Sequence, residues 1–296
     1  MKVRIITGLA AASLAIATMF VLQSPLLLCL VMVFSAMAAY ELCHTAKIKN
    51  GPMIAVAMLT AALVPPLVEY WPQVRAALDI PAMPLLLGYF IVLLALMLAK
   101  FEKTRFTDVL FALFASLGVP GAISTLLLIR NSTRAPMGVP FEPNLAVWIV
   151  FFTMCSAWLT DVFALFAGVK FGKHKLAPKI SPKKTVEGAV GGLLGMTAAN
   201  VGFAVMFNEL FLQNFKINLI TIAVISPVIG IVSIIGDLSA SVLKRNYGAK
   251  DFGRLFPGHG GVMDRFDSFG LVCPFIFALV QLEQSLGLHL FYEVIA

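Results

Sequence analysis

Long apolar stretches, separated by short clusters of proline and charge, run from one end of this chain to the other. Nine can be drawn, at about 4–22, 25–43, 52–70, 81–99, 108–129, 145–169, 187–207, 218–240 and 268–292. Each matches the roughly 20 apolar residues that a helix needs to cross a bilayer. None has the short polar/apolar dyads of an outer-membrane strand. A lipid-exposed backbone must satisfy its own hydrogen bonds, so helices are the required form. The pattern therefore predicts an all-α polytopic integral membrane protein with about nine transmembrane helices. Glu283 and His289 interrupt the last stretch. The first stretch follows Met1-Lys2-Val3-Arg4 and is longer than the apolar part of a secretory signal, so it reads as an uncleaved span.

Composition agrees: 60% of residues are hydrophobic, 12% are charged, and the mean hydropathy is +0.94. The net charge of +7 takes its meaning from where the cations lie. With the N-terminus inside, 18 of the 22 Lys and Arg residues fall in cytoplasmic segments, leaving Arg75, Arg130, Arg134 and Lys216 outside. By the positive-inside rule this predicts a cytoplasmic N-terminus and an odd number of spans. The basic balance is mostly topology, together with a surface that attracts anionic headgroups and nucleotides, and no nucleic-acid partner is expected. Cys29, Cys43, Cys155 and Cys273 lie in or at the ends of apolar runs with no C-x-x-C spacing, so they read as small buried hydrophobes. Residues 1–140 read as a helical scaffold. Residues 141–296 read as the catalytic region, with cytoplasmic loops at 170–186 and 241–267.

Two cytoplasmic segments carry the candidate chemistry. In the first, Asp161 sits inside an apolar span, where a carboxylate is costly and marks function by default. The loop after it holds six lysines and is followed by Glu187. Ser181-Pro182, followed by Lys183, Lys184 and Thr185, looks like a turn entering the next span. Such a helix start offers backbone N–H groups, a hydroxyl and ammoniums to a phosphate. The second segment, 237–267, gathers Lys244, Arg245, Lys250, Arg254 and Arg265 with Asp237, Asp251, Asp264 and Asp267. Ser241, Lys244 and Arg245 follow Asp237 at i+4, i+7 and i+8, which puts a carboxylate, a hydroxyl and two cations on one helical face. That combination suits a metal–phosphate site. Pro257-Gly258-His259-Gly260-Gly261 lets the backbone approach a ligand closely and turn its N–H groups toward phosphate. Asp237 and Asp264 together can hold Mg2+, which favours a few carboxylates plus substrate phosphates. His259 reads as a phosphate donor or acid.

These residues carry a family resemblance. Ser241-x-Leu243-Lys244-Arg245-x4-Lys250-Asp251-x-Gly253-x2-Phe256-Pro257-x-His259-Gly260-Gly261-Val262-x-Asp264-Arg265-Phe266-Asp267 resembles the complete signature of the phosphatidate cytidylyltransferases, or CDP-diacylglycerol synthases. The segment Asp161-x-x-Ala164…Gly168…Gly172-Lys173…Ile180-Ser181-Pro182-x-Lys184-Thr185-x-Glu187-Gly188 resembles the family's preceding stretch, departing at Leu165, where tyrosine is expected. The N-terminal half matches in hydropathy only. The resemblance implies a helical membrane fold, a homodimer, and an active site at the cytoplasmic face of the inner (plasma) membrane. It implies CTP and phosphatidate as substrates, with CDP-diacylglycerol and pyrophosphate as products. It also implies Mg2+ paired with a monovalent cation such as K+, with Asp237 and Asp264 as metal ligands. Lys244, Arg245, Lys250 and Arg265 are then phosphate ligands, and His259 is catalytic. Asp161, Ser181, Lys184, Thr185, Glu187, Ser241, Asp251, Gly260, Gly261 and Asp267 complete the expected substrate contacts.

Three other readings compete. A transporter would place ionisable groups along its spans, but the polar groups here gather toward one face. An assembly scaffold has no need of a glycine-flanked histidine beside four carboxylates. A related CTP-dependent enzyme acting on another lipid phosphate or alcohol would share the signature, because the signature reads headgroup chemistry and not the tail.

Overall fold

The computed structural model describes residues 25–79, 81–132, 143–212, 215–255, 260–287 and 290–294. The stretch at 4–22 with Lys2 and Arg4, Arg134, the step Pro257-Gly258-His259, and His289 lie outside the described residues. Among the described residues, eight helical segments are long and apolar enough to cross a membrane, and the protein is an all-α polytopic membrane protein. They are α1 (Pro25–Thr45), α2 (Gly51–Leu78), α3 (Ala82–Ala99), the joined pair α4 (Phe106–Leu113) and α5 (Val119–Ser132), α6 (Pro143–Phe171), α7 (Val186–Leu210), α8 (Leu219–Asn246) and α9 (Phe269–Leu286).

Local sequence explains several of these boundaries. Asn50 caps α2, its Oδ1 accepting from the Met53 amide at 3.3 Å while its Nδ2 donates to the Leu96 carbonyl at 2.8 Å. The fifth expected stretch is not one regular helix. A π turn, Phe114–Gly118, joins α4 to α5 just before Pro120, whose missing N–H removes a helical hydrogen bond. Ser116 in that turn is buried and lies 2.6 Å from the Tyr89 hydroxyl.

The last expected span is shorter than drawn. α9 ends at Leu286, and Gly287 stands at φ 62. A short strand β4 (Tyr292–Val294) then pairs antiparallel with β3 (Phe215–Ile217). Glu283 helps stop the helix, because its buried Oε1 accepts the Phe291 amide at 3.1 Å. The lysine-rich loop also holds structure that its composition does not suggest, a hairpin of β1 (Lys175–Ala177) and β2 (Ser181–Thr185). Ser181 therefore lies on a strand, and the helix start falls at Thr185, whose Oγ1 accepts the Gly188 amide at 3.1 Å.

The chain folds as two compact units. One holds the described residues up to Leu127 together with Lys244–Phe266, and the other holds Leu128–Leu243 with the described residues from Asp267 onward. In the first, α1 and α2 pack through small side chains, with Ala38, Ala39, Ala57 and Ala61 fully buried. Small residues let helices approach closely in a membrane, where water supplies no hydrophobic drive between them.

In the second unit α6 and α7 meet through glycines. A Cβ on Gly192 would stand 2.7 Å from the Thr160 carbonyl oxygen and 2.9 Å from the Ala164 methyl. Gly192→Val is therefore expected to destabilise the unit by about 1–3 kcal/mol through overpacking. A lowered thermal midpoint in detergent checks this, and an unchanged midpoint overturns it.

Candidate active site

In the second unit three carboxylates from three parts of the chain converge. Asp161 of α6, Asp237 of α8 and Asp267, just before α9, bring one oxygen each within 4.8 Å of one another. At an effective dielectric of about 20, each pair of charges at that spacing repels by on the order of 3 kcal/mol. Lys184, at the end of β2, relieves part of this. Its Nζ pairs with Asp237 Oδ2 and lies 3.5 Å from Asp161 Oδ1. Burial would lower the Lys184 pKa, but the Asp161 and Asp237 carboxylates outweigh it and hold the ammonium above its ordinary value.

The backbone aims these groups. Ser268 Oγ donates to Asp161 Oδ2 at 3.3 Å, and the Ser268 amide donates to Asp267 Oδ1 at 2.9 Å. Gly236 admits that segment against α8, since a Cβ there would stand 3.2 Å from the Asp267 carbonyl oxygen. The donor set is made entirely of carboxylate oxygen, which suits a hard cation such as Mg2+. Lys184 already shows a positive charge seated among them, so the residues present fit such an ion.

Glu187 holds the hairpin to its own helix start. Its carboxylate accepts the Lys173 amide at 3.0 Å and the His174 amide at 3.2 Å, and His174 Nδ1 lies 2.5 Å from Oε1. Thr185 is spent on capping, and Ser241 is buried on α8. Of the residues expected in the upstream segment, Asp161 and Lys184 thus reach the carboxylate cluster, while Glu187 and Thr185 shape the loop that delivers Lys184.

In the first unit described residues of the signature gather around Asp264. Lys244 Nζ donates to Asp264 Oδ1 at 2.8 Å, and the amides of Phe252 and Gly261 donate to Oδ2 at 2.8 and 2.9 Å. Lys244 and Asp264 are each 8% exposed. Lys244 also lies over the Phe252 ring, 4.9 Å from its centroid. Gly260 stands at φ 84, and a Cβ there would meet Asp264 Oδ2 at 2.6 Å, so this position requires glycine. Of the glycine-rich turn at 257–261, the Gly261 amide goes to Asp264, and the two amides that follow it, those of Val262 and Met263, go to Glu41.

Arg245 Nη1 donates to the Ala249 carbonyl at 3.0 Å, and Arg265 is exposed. Lys250 and Asp251 line a cleft of about 1230 Å³, together with Lys47, Lys49 and Arg254. His259, expected to be catalytic, lies outside the described residues.

The profile of the Cytidylyltransferase family matches residues 2–283. The chain belongs to that family. Its relatives include the phosphatidate cytidylyltransferase of Bacillus subtilis (strain 168), 32% identical over 95% of this chain and 98% of that protein. The protein of that name from Rickettsia bellii (strain RML369-C) is 33% identical over 61% of this chain and 74% of its own. The one from Thermotoga maritima is 36% identical over 45% of this chain and 48% of its own.

One functional candidate in this cytidylyltransferase-family chain escaped sequence reasoning. Glu41, near the C-terminal end of an apolar helix, supplies the carboxylate that holds Val262 and Met263. The signal was available, because a lone acid in a membrane span marks function or a buried partner. The N-terminal half resembles the family in hydropathy alone, so no motif points to Glu41.

Proposed function

We propose that this chain transfers the cytidylyl group of CTP to phosphatidate, giving CDP-diacylglycerol and pyrophosphate. The observation that carries the reading is the match, nearly end to end, with a relative named phosphatidate cytidylyltransferase. An oxygen of the lipid phosphate attacks the α-phosphorus of CTP, and the bond from that phosphorus to the oxygen bridging to the β-phosphate breaks. Pyrophosphate leaves with the electron pair. The nucleophile is already ionised near neutral pH, so no general base is required.

Positioning and charge neutralisation do most of the work in such transfers, because both reactants are polyanions. Arg245, Lys250 and Arg265 are assigned to the phosphates, and Lys244 to the loop that presents them. Asp161, Asp237 and Asp267 would hold Mg2+, which when bound supplies charge neutralisation at phosphate oxygens and on the leaving pyrophosphate. Asp264, the other expected ligand, is engaged by Lys244. A monovalent cation such as K+ and a homodimer follow from the resemblance alone. The uneven spread of cations supports a cytoplasmic N-terminus and a site at the inner face of the plasma membrane.

Purified protein given labelled CTP, phosphatidate and Mg2+ is expected to form CDP-lipid and pyrophosphate in equal amounts. Absence of CDP-lipid with every phosphatidate, alongside turnover of another phosphorylated lipid, would overturn the substrate. Potassium dependence and mass in detergent test the second cation and the dimer.

A further inference from the structure

Glu41 is 6% exposed and sits in the next-to-last turn of α1, inside an apolar stretch. A carboxylate buried there is destabilising unless its charge is met by donors of good geometry. The donors are two successive amides of the signature. Val262 N donates to Oε1 at 3.0 Å and Met263 N donates to Oε2 at 2.9 Å. This two-toothed contact fixes both the position and the direction of the peptide planes that lead into Asp264.

The same face of α1 makes two further contacts with the segment. Thr45, one turn on, donates through Oγ1 to the Phe252 carbonyl at 3.2 Å. Phe34, two turns back, packs on Phe266 with ring centroids 5.3 Å apart. The loop in turn is shaped to admit the acid. A Cβ added to either Gly253 or Gly261 would run into the Glu41 carboxylate. Two signature glycines are therefore explained by a residue more than two hundred positions away.

We propose that Glu41 is a positioning residue for cytidylyl transfer, a clamp that holds Phe252 and the run 261–264 in the arrangement that presents the cations of the signature. It touches no substrate. Its effect passes through the placement of Lys250, Arg254 and Arg265, which flank the clamped amides in sequence, so its loss falls on capture of the CTP polyphosphate. Glutamine is no substitute, because its amide nitrogen would face one of the two N–H donors.

The activity readout rests on the transferase reading, while an amide-exchange readout does not, so the two can fail separately. In the full-length protein in detergent, Glu41→Gln is expected to raise KM for CTP roughly tenfold or more, the scale of a lost hydrogen bond to a charged group, with a smaller change in kcat. Gly261→Ala should be impaired too, and adding Gly261→Ala to Glu41→Ala should cost little more than Glu41→Ala alone, since the obstructing carboxylate is gone. In the wild-type protein the Val262 and Met263 amides should exchange slowly although they lie in a loop. A Glu41→Gln KM within twofold of wild type, losses that simply multiply in the double variant, or rapid exchange at Val262 and Met263 would each overturn the proposal. The exchange measurement holds even if the variants fail to fold.

Discussion

Asp237→Asn is expected to lower CDP-diacylglycerol formation by roughly two to three orders of magnitude, the scale of several kcal/mol of lost charge stabilisation by a metal ion. Asp237 is the carboxylate most engaged by Lys184, and it shares the three-oxygen cluster with Asp161 and Asp267. Removing its charge leaves two anions and an ammonium, a set with much less attraction for a dication. The deficit should shrink as Mg2+ is raised, and Asp161→Asn and Asp267→Asn should follow the same course. Initial rates across a Mg2+ titration make the check. A folded Asp237→Asn protein that releases pyrophosphate at the wild-type rate, with unchanged Mg2+ dependence, would remove the cluster from the mechanism.

Asp264→Asn is expected to fail differently. Its carboxylate answers a buried ammonium and two backbone amides, and removing one partner of a buried ion pair costs about 3–5 kcal/mol because the other charge is stranded. The variant should therefore melt earlier and lose activity that added Mg2+ does not restore. A Lys244→Met, Asp264→Asn double variant should recover stability, because neither charge remains. Normal melting, with activity rescued by Mg2+, would instead make Asp264 a ligand of the ion, as the signature alone suggests.

The contrast between these two aspartates shows where the sequence was informative. The spans were legible because hydrocarbon thickness imposes helix length, and their drawn edges at 187–207 and 52–70 fall inside α7 and α2. Asp161 was legible as a functional carboxylate, because an acid within an apolar run is costly, but it was expected to meet substrate and not to share a cluster with Asp237. What spacing could not supply was partnership across the chain. Asp264 and Asp267 are three residues apart, yet one joins Lys244 and the other joins Asp161 and Asp237. The hairpin at 175–185 was hidden because Ser181-Pro182 and the lysines after it read as a turn entering the next span. Its order comes from Glu187 collecting the amides of Lys173 and His174. Nor did spacing show that an acid from α1 would take the two amides just after the glycine-rich turn, those of Val262 and Met263.

That pairing sets an order of events during biosynthesis. α1 leaves the ribosome well before Val262 and Met263, which follow 221 and 222 residues after Glu41. Until they arrive, the nascent chain carries an acid in the bilayer without its amide donors, and closing so long a loop is slow compared with pairing of neighbouring helices. The first unit thus reaches its final form only after the helices through α8 have been synthesised. Chains released early, before residue 262, should be poorly packed around α1 and be preferred substrates for membrane quality-control proteases.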